Sequence, residues 1–508
     1  MEIEIDKPLQ EKCGIVGIFT AKLTKQLPFA LVAAGALQHR GQQGAGVAIQ
    51  TAEGIGRYTG NGLIRQVFNK KIVSRFNKKA RWTLVHCRYG TFGGYNKINL
   101  QPCKVKAKDG TDICVIHNGE FAATSEMRKK IPHPLPPDIS DTYLFTALLA
   151  ESQGSSWDTK LIKTLRSVAG AYSLIIGLDN RIYAARDQFG IRPLFVGKRK
   201  DVWIIASETY AFDKVGANVL HEVGKGEIVR IDRKGLKVIQ SSSMSPKHFC
   251  DFEWAYFGRP NSLLPTHEKN TAKSDVKNWM AISTFRERCG QILAQELPIK
   301  NASFVVGVPD SGVYVASGYA NELGIPYRQV IIRDHFDSNG IQRLFMRDDQ
   351  KNSIKKKVLG KLSLVPDRRI WQDAIVVIGD DSIIRGNVSI KITKAIFSLG
   401  AKEVHWIIGF PPVKHRCHLG VSIRTHEELI ASRHNGDSGK IAKELGTSSI
   451  RYISNRGFIK ARLLSNYIVV PKDQDEIFLA NGGCGGCVTG HYPISRAGEI
   501  HSPPTIIS

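Results

Sequence analysis

No run of apolar residues in this chain approaches the ~20 needed to cross a bilayer. The first residues carry Glu2, Glu4 and Asp6 where a secretory leader would be basic and then apolar. Both absences point to a cytoplasmic protein with no membrane partner. Cysteine is scarce: nine in 508 residues make no disulfide framework, so most should be reduced thiols or ligands. Negative charge is also short, with 46 acidic residues against 71 basic ones and a formal charge of +25. Such an excess suits nucleic acid, polyanionic phosphates or an unusual cytoplasm. The basic residues are spread along the chain, however, with only short clusters such as Lys70-Lys71, Lys78-Lys79, Lys355-Lys356-Lys357 and Arg368-Arg369. No recognition motif accompanies them, and nucleic acid is not the partner they indicate. What is present is a soluble globular composition, 42% hydrophobic and 23% charged, at a length that implies two large domains and a tail.

The first half is organised around Lys12-Cys13-Gly14-Ile15-Val16-Gly17-Ile18-Phe19, which predicts a buried strand with a thiol at its leading end. A cysteine is nucleophilic only as thiolate and needs a base nearby. Cleavage after Lys12 would supply one, an α-amino group titrating near ~8 on the same residue. A buried core cysteine is the plain alternative. Residues 29–38 read as a helix that leads into the glycine-rich turn 39–46 and a strand at 47–49. Strands are predicted at 82–87, 113–117, 172–177, 181–185 and 202–206, with two short ones within 224–240 closing a sheet-rich domain.

Three polar groups are placed at strand ends: His86-Cys87-Arg88-Tyr89-Gly90, His117-Asn118-Gly119-Glu120 and Ile139-Ser140-Asp141-Thr142. Singly each is weak, and Asn-Gly is also the commonest hairpin turn. Together they supply a nucleophile, an arginine for a carboxylate, an aspartate for an ammonium and donors for an oxyanion, which is what a glutamine site needs. These motifs, with Leu37-Gln38-His39-Arg40-Gly41-Gln42, Gly170-Ala171-Tyr172, Arg186-Asp187-Gln188-Phe189-Gly190-Ile191-Arg192-Pro193-Leu194 and Ala206-Ser207-Glu208-Thr209, resemble the class II, N-terminal-nucleophile glutamine amidotransferases in order and content. The resemblance implies an α+β domain of stacked antiparallel sheets between helices. It makes Cys13 the catalytic first residue after loss of a 1–12 propeptide, with Asn118 and Gly119 as the oxyanion hole and Arg88 and Asp141 as binders of glutamine.

From residue 302 buried apolar strands alternate with helices, as in a parallel α/β sheet. Strands are predicted at 304–308, 329–332, 374–378 and 403–408, after a helix at 277–296. The third strand runs into Gly379-Asp380-Asp381-Ser382-Ile383-Ile384-Arg385-Gly386-Asn387-Val388-Ser389. Backbone N–H groups of such a loop and helix start can hold a phosphate, and the paired acids can engage ribose hydroxyls or magnesium. An acid-rich surface turn is the bland alternative. With Val308-Pro309-Asp310-Ser311-Gly312, Gly324-Ile325-Pro326-Tyr327 and Thr425-His426-Glu427-Glu428-Leu429-Ile430-Ala431-Ser432, the stretch resembles the type I phosphoribosyltransferases, which bind phosphoribosyl pyrophosphate (PRPP).

The whole layout resembles the amidophosphoribosyltransferase family. It implies domains at 13–245 and 246–470 and a tail at 471–508 carrying Cys484-Gly485-Gly486-Cys487. It also implies a glycosyltransferase of purine biosynthesis that hydrolyses glutamine and gives the ammonia to PRPP. Ser311, Asp380 and Asp381 would then be magnesium-associated, and Asp380, Asp381, Ser382, Arg385, Gly386, Asn387 and Ser389 would hold PRPP. The spacing of Cys484 and Cys487 lets both sulfurs reach one metal. Cys250 and Cys417 match the family's iron-sulfur subgroup and complete a [4Fe-4S] set, with zinc as the chemical alternative. Cys87, Cys103, Cys114 and Cys289 read as ordinary thiols. The resemblance further implies a homotetramer and purine nucleotide inhibitors.

Two places depart from the family's pattern. Asn387-Val388 stands where two threonines are usual, and the loop 333–345 keeps Arg333 and Arg343 but loses much of the usual sequence. These leave open a diverged paralogue that delivers ammonia to another phosphorylated acceptor, and a non-catalytic basic iron-sulfur protein.

Overall fold

A computed structural model describes residues 13–88, 97–266, 276–333, 362–421, 423, 425–463 and 467–501. The expected propeptide 1–12, Tyr89 and Gly90, and the loop after Arg333 that includes Arg343 lie outside the described residues.

The first half is built on β1 (Gly14–Lys25), β2 (Gly44–Thr51), β3 (Gly54–Asn61), β4 (Lys79–Arg88), β5 (Cys103–Lys106), β6 (Asp112–Phe121) and β7 (Gly170–Leu178). It continues with β8 (Arg181–Arg186), β9 (Phe195–Arg199), β10 (Val202–Ala206), β11 (Asn218–Glu222), β12 (Ile228–Asp232) and β13 (Gly235–Gln240). They form two antiparallel sheets, ordered β11-β9-β10-β1-β4-β2-β3 and β13-β12-β8-β7-β6-β5. Period-two alternation explains the layers. In β1, Ile15 and Phe19 pack between the sheets with Trp82, Ile116 and Ile175. Val16 and Ile18 pack outward against Leu27, Ala30, Ala33 and Ala34 of the Leu27–Gly35 helix. On the other side, Val115, Leu174 and Ile176 meet Leu144, Phe145 and Leu148 of the Asp141–Glu151 helix. Each large aliphatic side chain buried this way stabilises the fold by ~1.5–3 kcal/mol before entropy is counted.

The second half contains the hairpin β14 (Leu263–Pro265) and β15 (Trp279–Ala281), then β16 (Phe304–Gly307), β17 (Ile331–Arg333), β18 (Leu362–Leu364), β19 (Ile375–Asp380), β20 (Glu403–Ile408) and β21 (Ser449–Tyr452). β16-β19-β20-β21 form a parallel sheet. Val376 and Ile378 pack on Ile392, Ile396, Ile441 and Leu445, while Val377 packs on the opposite face with Ala316, Tyr319 and Leu293. The expected α+β and α/β architectures are therefore both present.

Four local expectations change. The strand predicted at 329–332 is β17, paired antiparallel with β18 and outside the parallel sheet. The edge of β16 is already taken, since Val305 accepts from Arg328 N–H at 2.9 Å and donates to Pro326 at 2.9 Å. The helix predicted from 277 begins at Ile282 because 279–281 pair with β14. The helix at 29–38 ends at Gly35 and is followed by a separate 3₁₀ turn, Gln38–Arg40. His117 to Glu120 form no hairpin turn: the strand predicted to stop at 117, β6, runs on to Phe121, and these four residues, at its carboxyl end, are paired with β7.

Candidate functional site

The Cys13 end of β1 lies beside the end of β4, because Gly14 pairs with Cys87 and Ile15 with His86. Cys13 is partly exposed and Arg88 is buried. In the facing sheet, Asn118 shares the parity of Cys114 and Ile116, which pack between the sheets. Its side chain is fully buried, and neither Nδ2 nor Oδ1 has a hydrogen-bond partner. A buried amide left unpaired costs ~1–3 kcal/mol, and this one has both its donor and its acceptor free of protein partners. Gly119 is the one residue that fits its place: with φ of 148°, a Cβ there would lie 1.9 Å from the Ala171 carbonyl oxygen.

Asp141 opens the Asp141–Glu151 helix, whose Ser140 cap accepts from Tyr143 N–H at 3.2 Å. Its carboxylate is fixed by Phe121 N–H at 3.0 Å and Thr142 N–H at 2.7 Å. This ties the aspartate to the strand that bears Asn118. His86 stays neutral: burial, then Arg88 and His117, lower its pKa to about 3.

Behind this corner lies a buried charge network. Arg40 pairs with Glu208 and Glu253, and Arg192 reaches Glu253 at 3.2 Å and the Leu419 carbonyl at 2.9 Å. Glu208 also accepts from Ser262 Oγ–H at 2.6 Å and Arg259 N–H at 3.0 Å. It therefore joins the first half to the start of the second. Arg286 donates to the carbonyls of Trp254 at 3.2 Å and Gly258 at 2.9 Å, and its charge acts on both Asp381 and Glu208.

At the carboxyl end of the parallel sheet, β19 ends in Asp380 and Asp381. Burial and then the Asp381 charge push Asp380 well above the usual carboxylate range. Burial raises Asp381 as well, against the opposing pull of Arg286 and of hydrogen bonds from Ser311 and Ser382. Gly312 is packed so closely that a Cβ would lie 2.5 Å from the Gly379 carbonyl and 3.0 Å from Asp380 Oδ1, which seats the 309–312 loop on the acid pair. The Asn387–Ser398 helix starts at Gly386, with φ of 88° and no side-chain cap. Its first N–H groups are thus open to a ligand. Ser389 is buried, Asn387 and Val388 are exposed, and Arg385 pairs with Glu428.

All nine cysteines are thiols. Cys250, Cys417, Cys484 and Cys487 come from three segments joined by backbone hydrogen bonds. Phe249 N–H donates to Gly482 at 3.1 Å, Cys484 N–H to Phe249 at 2.8 Å, and Lys414 and His415 N–H to Cys487 at 3.0 and 2.9 Å. Cys417 Sγ accepts from Leu419 N–H at 3.3 Å and Val421 N–H at 3.5 Å. Burial first, and the other cysteines next, push the thiols of Cys484 and Cys487 far up. Among the described residues, no three of these sulfurs lie within 4.8 Å of one another. The four thiols act on one another electrostatically and form one cysteine-rich region, a donor set for a metal ion or a metal–sulfur cluster. Cys87, Cys103, Cys114 and Cys289 are buried, each raised by burial, Cys103 to about 12.

The sequence reading missed the pairing of Arg40, Glu208, Glu253 and Arg192, although Arg40, Glu208 and Arg192 all lie in the motifs that resemble the amidotransferases. It also missed Arg286. Arginines and acids at helix and strand ends carried no signal of which would be buried together.

A glutamine amidotransferase domain model matches residues 96–214. The amidophosphoribosyltransferase of Bacillus subtilis is 32% identical over 490 residues, covering 96% of this chain and 95% of that protein. That of Rattus norvegicus is 32% identical, covering 97% and 99%. Among solved structures, the glutamine PRPP amidotransferase from B. subtilis complexed with ADP and GMP superposes with a TM-score of 0.80 at 31% identity, covering 97% of this chain and 99% of that one. A structure described as the allosteric regulatory enzyme of purine biosynthesis gives 0.81 at 32% identity, with 97% and 98% covered.

Proposed function

Because this chain belongs to the amidophosphoribosyltransferase family, we propose that it hydrolyses glutamine and transfers the ammonia to PRPP, giving 5-phosphoribosylamine, glutamate and pyrophosphate. This is the first committed step of purine synthesis. The observation that carries the glutamine half is the fully buried, unpartnered Asn118 amide, on the strand face toward the sheet whose β1 follows Cys13.

In this reading, residues 1–12 are removed and the α-amine of Cys13 takes the thiol proton. The sulfur attacks the side-chain carbonyl carbon of glutamine, whose carboxylate rests on Arg88 and whose ammonium rests on Asp141. Asn118 Nδ2 and Gly119 N–H stabilise the oxyanion, an effect worth ~2.7–4 kcal/mol per donor in such sites. Ammonia leaves with the proton, and water hydrolyses the thioester to glutamate.

Ammonia then attacks C1 of PRPP as pyrophosphate departs. Support comes from the acid pair Asp380-Asp381 and the uncapped helix start at Gly386, which suit the ribose and the 5'-phosphate respectively. Ser382, Arg385, Asn387 and Ser389 complete that loop. Ser311, Asp380 and Asp381 would hold magnesium, which when bound neutralises pyrophosphate oxygens. Two buried, mutually repelling carboxylates fit a dication. Cys250, Cys417, Cys484 and Cys487 fit a [4Fe-4S] cluster, which when bound would crosslink the three segments that carry them.

The proposal includes a division near residue 245, a cytoplasmic location and a homotetramer. Among the described residues no helix is long and apolar enough to cross a membrane. Purine nucleotide inhibition is part of it too, since the B. subtilis relative was crystallised with ADP and GMP. The test is C13A in the full chain. Glutamine-dependent pyrophosphate release should vanish while ammonium-dependent release persists; loss of both, or of neither, would overturn the assignment.

A further inference from the structure

The tail brings together two imidazoles and a carboxylate that the reaction does not use. Glu476 ends the 3₁₀ turn Gln474–Glu476, His491 follows the short helix Gly486–Thr489, and His501 follows a tight reversal bridged between Ile494 and Ile500. One ligand atom from each lies within 4.8 Å of the other two. His501 Nε2 is 2.8 Å from Glu476 Oε1. His491 Nδ1 is buried without a hydrogen-bond partner, 4.0 Å from Asp473 Oδ2.

We propose that Glu476, His491 and His501 form a second metal site, separate from the four cysteines, that takes a zinc-class divalent cation. A simple His501–Glu476 ion pair explains one contact but leaves the buried His491 nitrogen unsatisfied. An ion would engage both rings and the carboxylate. The two-imidazole, one-carboxylate donor set is a standard one for zinc, with Asp473 or water in the fourth position.

The consequence is a clamp on the tail. His501 N–H donates to Pro493 at 3.0 Å, and Arg496 O accepts from Ala123 N–H at 3.4 Å. Ala123 sits two residues beyond the strand that holds Asn118 and Gly119. An ion here pins the 494–500 reversal to the segment bearing Cys484 and Cys487, and so holds the tail against the glutamine half.

The test uses the anaerobically purified full chain, loaded with zinc, desalted and read by elemental analysis and zinc X-ray absorption. The wild type should retain about one zinc per chain, with a nitrogen and oxygen shell at ~2.0–2.1 Å and no sulfur shell near ~2.3 Å. The H491A/H501A double variant should lose it, and E476Q should bind at least tenfold more weakly, both with an unchanged far-ultraviolet spectrum. Zinc should also slow tryptic cleavage after Arg496 in the wild type and not in the double variant. No retained zinc, a sulfur shell, equal retention by the variants, or zinc loss only with loss of folding in both variants would overturn the proposal.

Discussion

Arg40 and Glu253, 213 residues apart in sequence, meet as a two-pronged buried ion pair: Nη1 donates to Oε1 at 3.4 Å and Nη2 to Oε2. Glu208 pairs with Arg40 and Arg192 with Glu253, and all four side chains are at most 2% exposed. Removing one member strands a buried charge. E253Q should destabilise the chain by ~3–5 kcal/mol in urea unfolding, whereas breaking an exposed, solvent-screened pair such as Lys78–Glu53 should change stability little.

The same network sets an acid limit. Burial alone would raise the Glu208 pKa, but His39 and Arg40 outweigh it and hold it far below its ordinary 4.5. Its contribution is therefore complete above about pH 4.5 and is lost as pH falls through the folded value. His86 acts in the same direction. Its folded pKa of about 3, against an ordinary 6.5, means the unfolded chain takes up the proton first, so stability falls as pH falls from 6.5 toward 3. Urea midpoints should drop across this window. In E208Q the further drop below about pH 4.5 should be shallower.

N118A removes the proposed side-chain donor. Glutaminase kcat should fall ~10²–10³-fold with the KM for glutamine little changed. Ammonium-dependent pyrophosphate release should persist, and a matching loss there would mean a structural defect instead.

Val388 is 49% exposed in the first turn of the Asn387–Ser398 helix, where a hydroxyl could serve a phosphate. V388T should lower the KM for PRPP by ~10–100-fold, the worth of one hydrogen bond to a charged acceptor. An unchanged KM would show that the 5'-phosphate does not reach this turn.

Arg286 touches the 254–258 backbone, and its charge acts on both Asp381 and Glu208. R286M should therefore weaken the stimulation of glutaminase by PRPP more than it weakens unstimulated turnover. Equal losses would reduce Arg286 to a packing role.

What could be read from sequence were the features carried by one contiguous stretch. The Cys13 strand, Asp380-Asp381 at the end of a buried strand and the alternation of Val376, Val377 and Ile378 each announce themselves within a few residues. What could not be read depended on distant partners. The 329–332 stretch looks like a sheet strand, but the edge it would need is occupied by 326–328. Asn118-Gly119 looks like a turn until β7 is seen pairing along it. The Arg40, Glu208 and Glu253 charges gain meaning only when folding buries them together, and Glu476, His491 and His501 meet only through the tail's reversal.

The central claim, that one chain couples glutamine hydrolysis to amination of PRPP, is tested most directly by following glutamate and pyrophosphate together in anaerobically purified protein, with glutamine or ammonium chloride as donor. PRPP with magnesium should stimulate glutamate release, with pyrophosphate appearing mole for mole. Glutamate without pyrophosphate, even with ammonium supplied, would contradict it and assign the second half to a different phosphorylated acceptor.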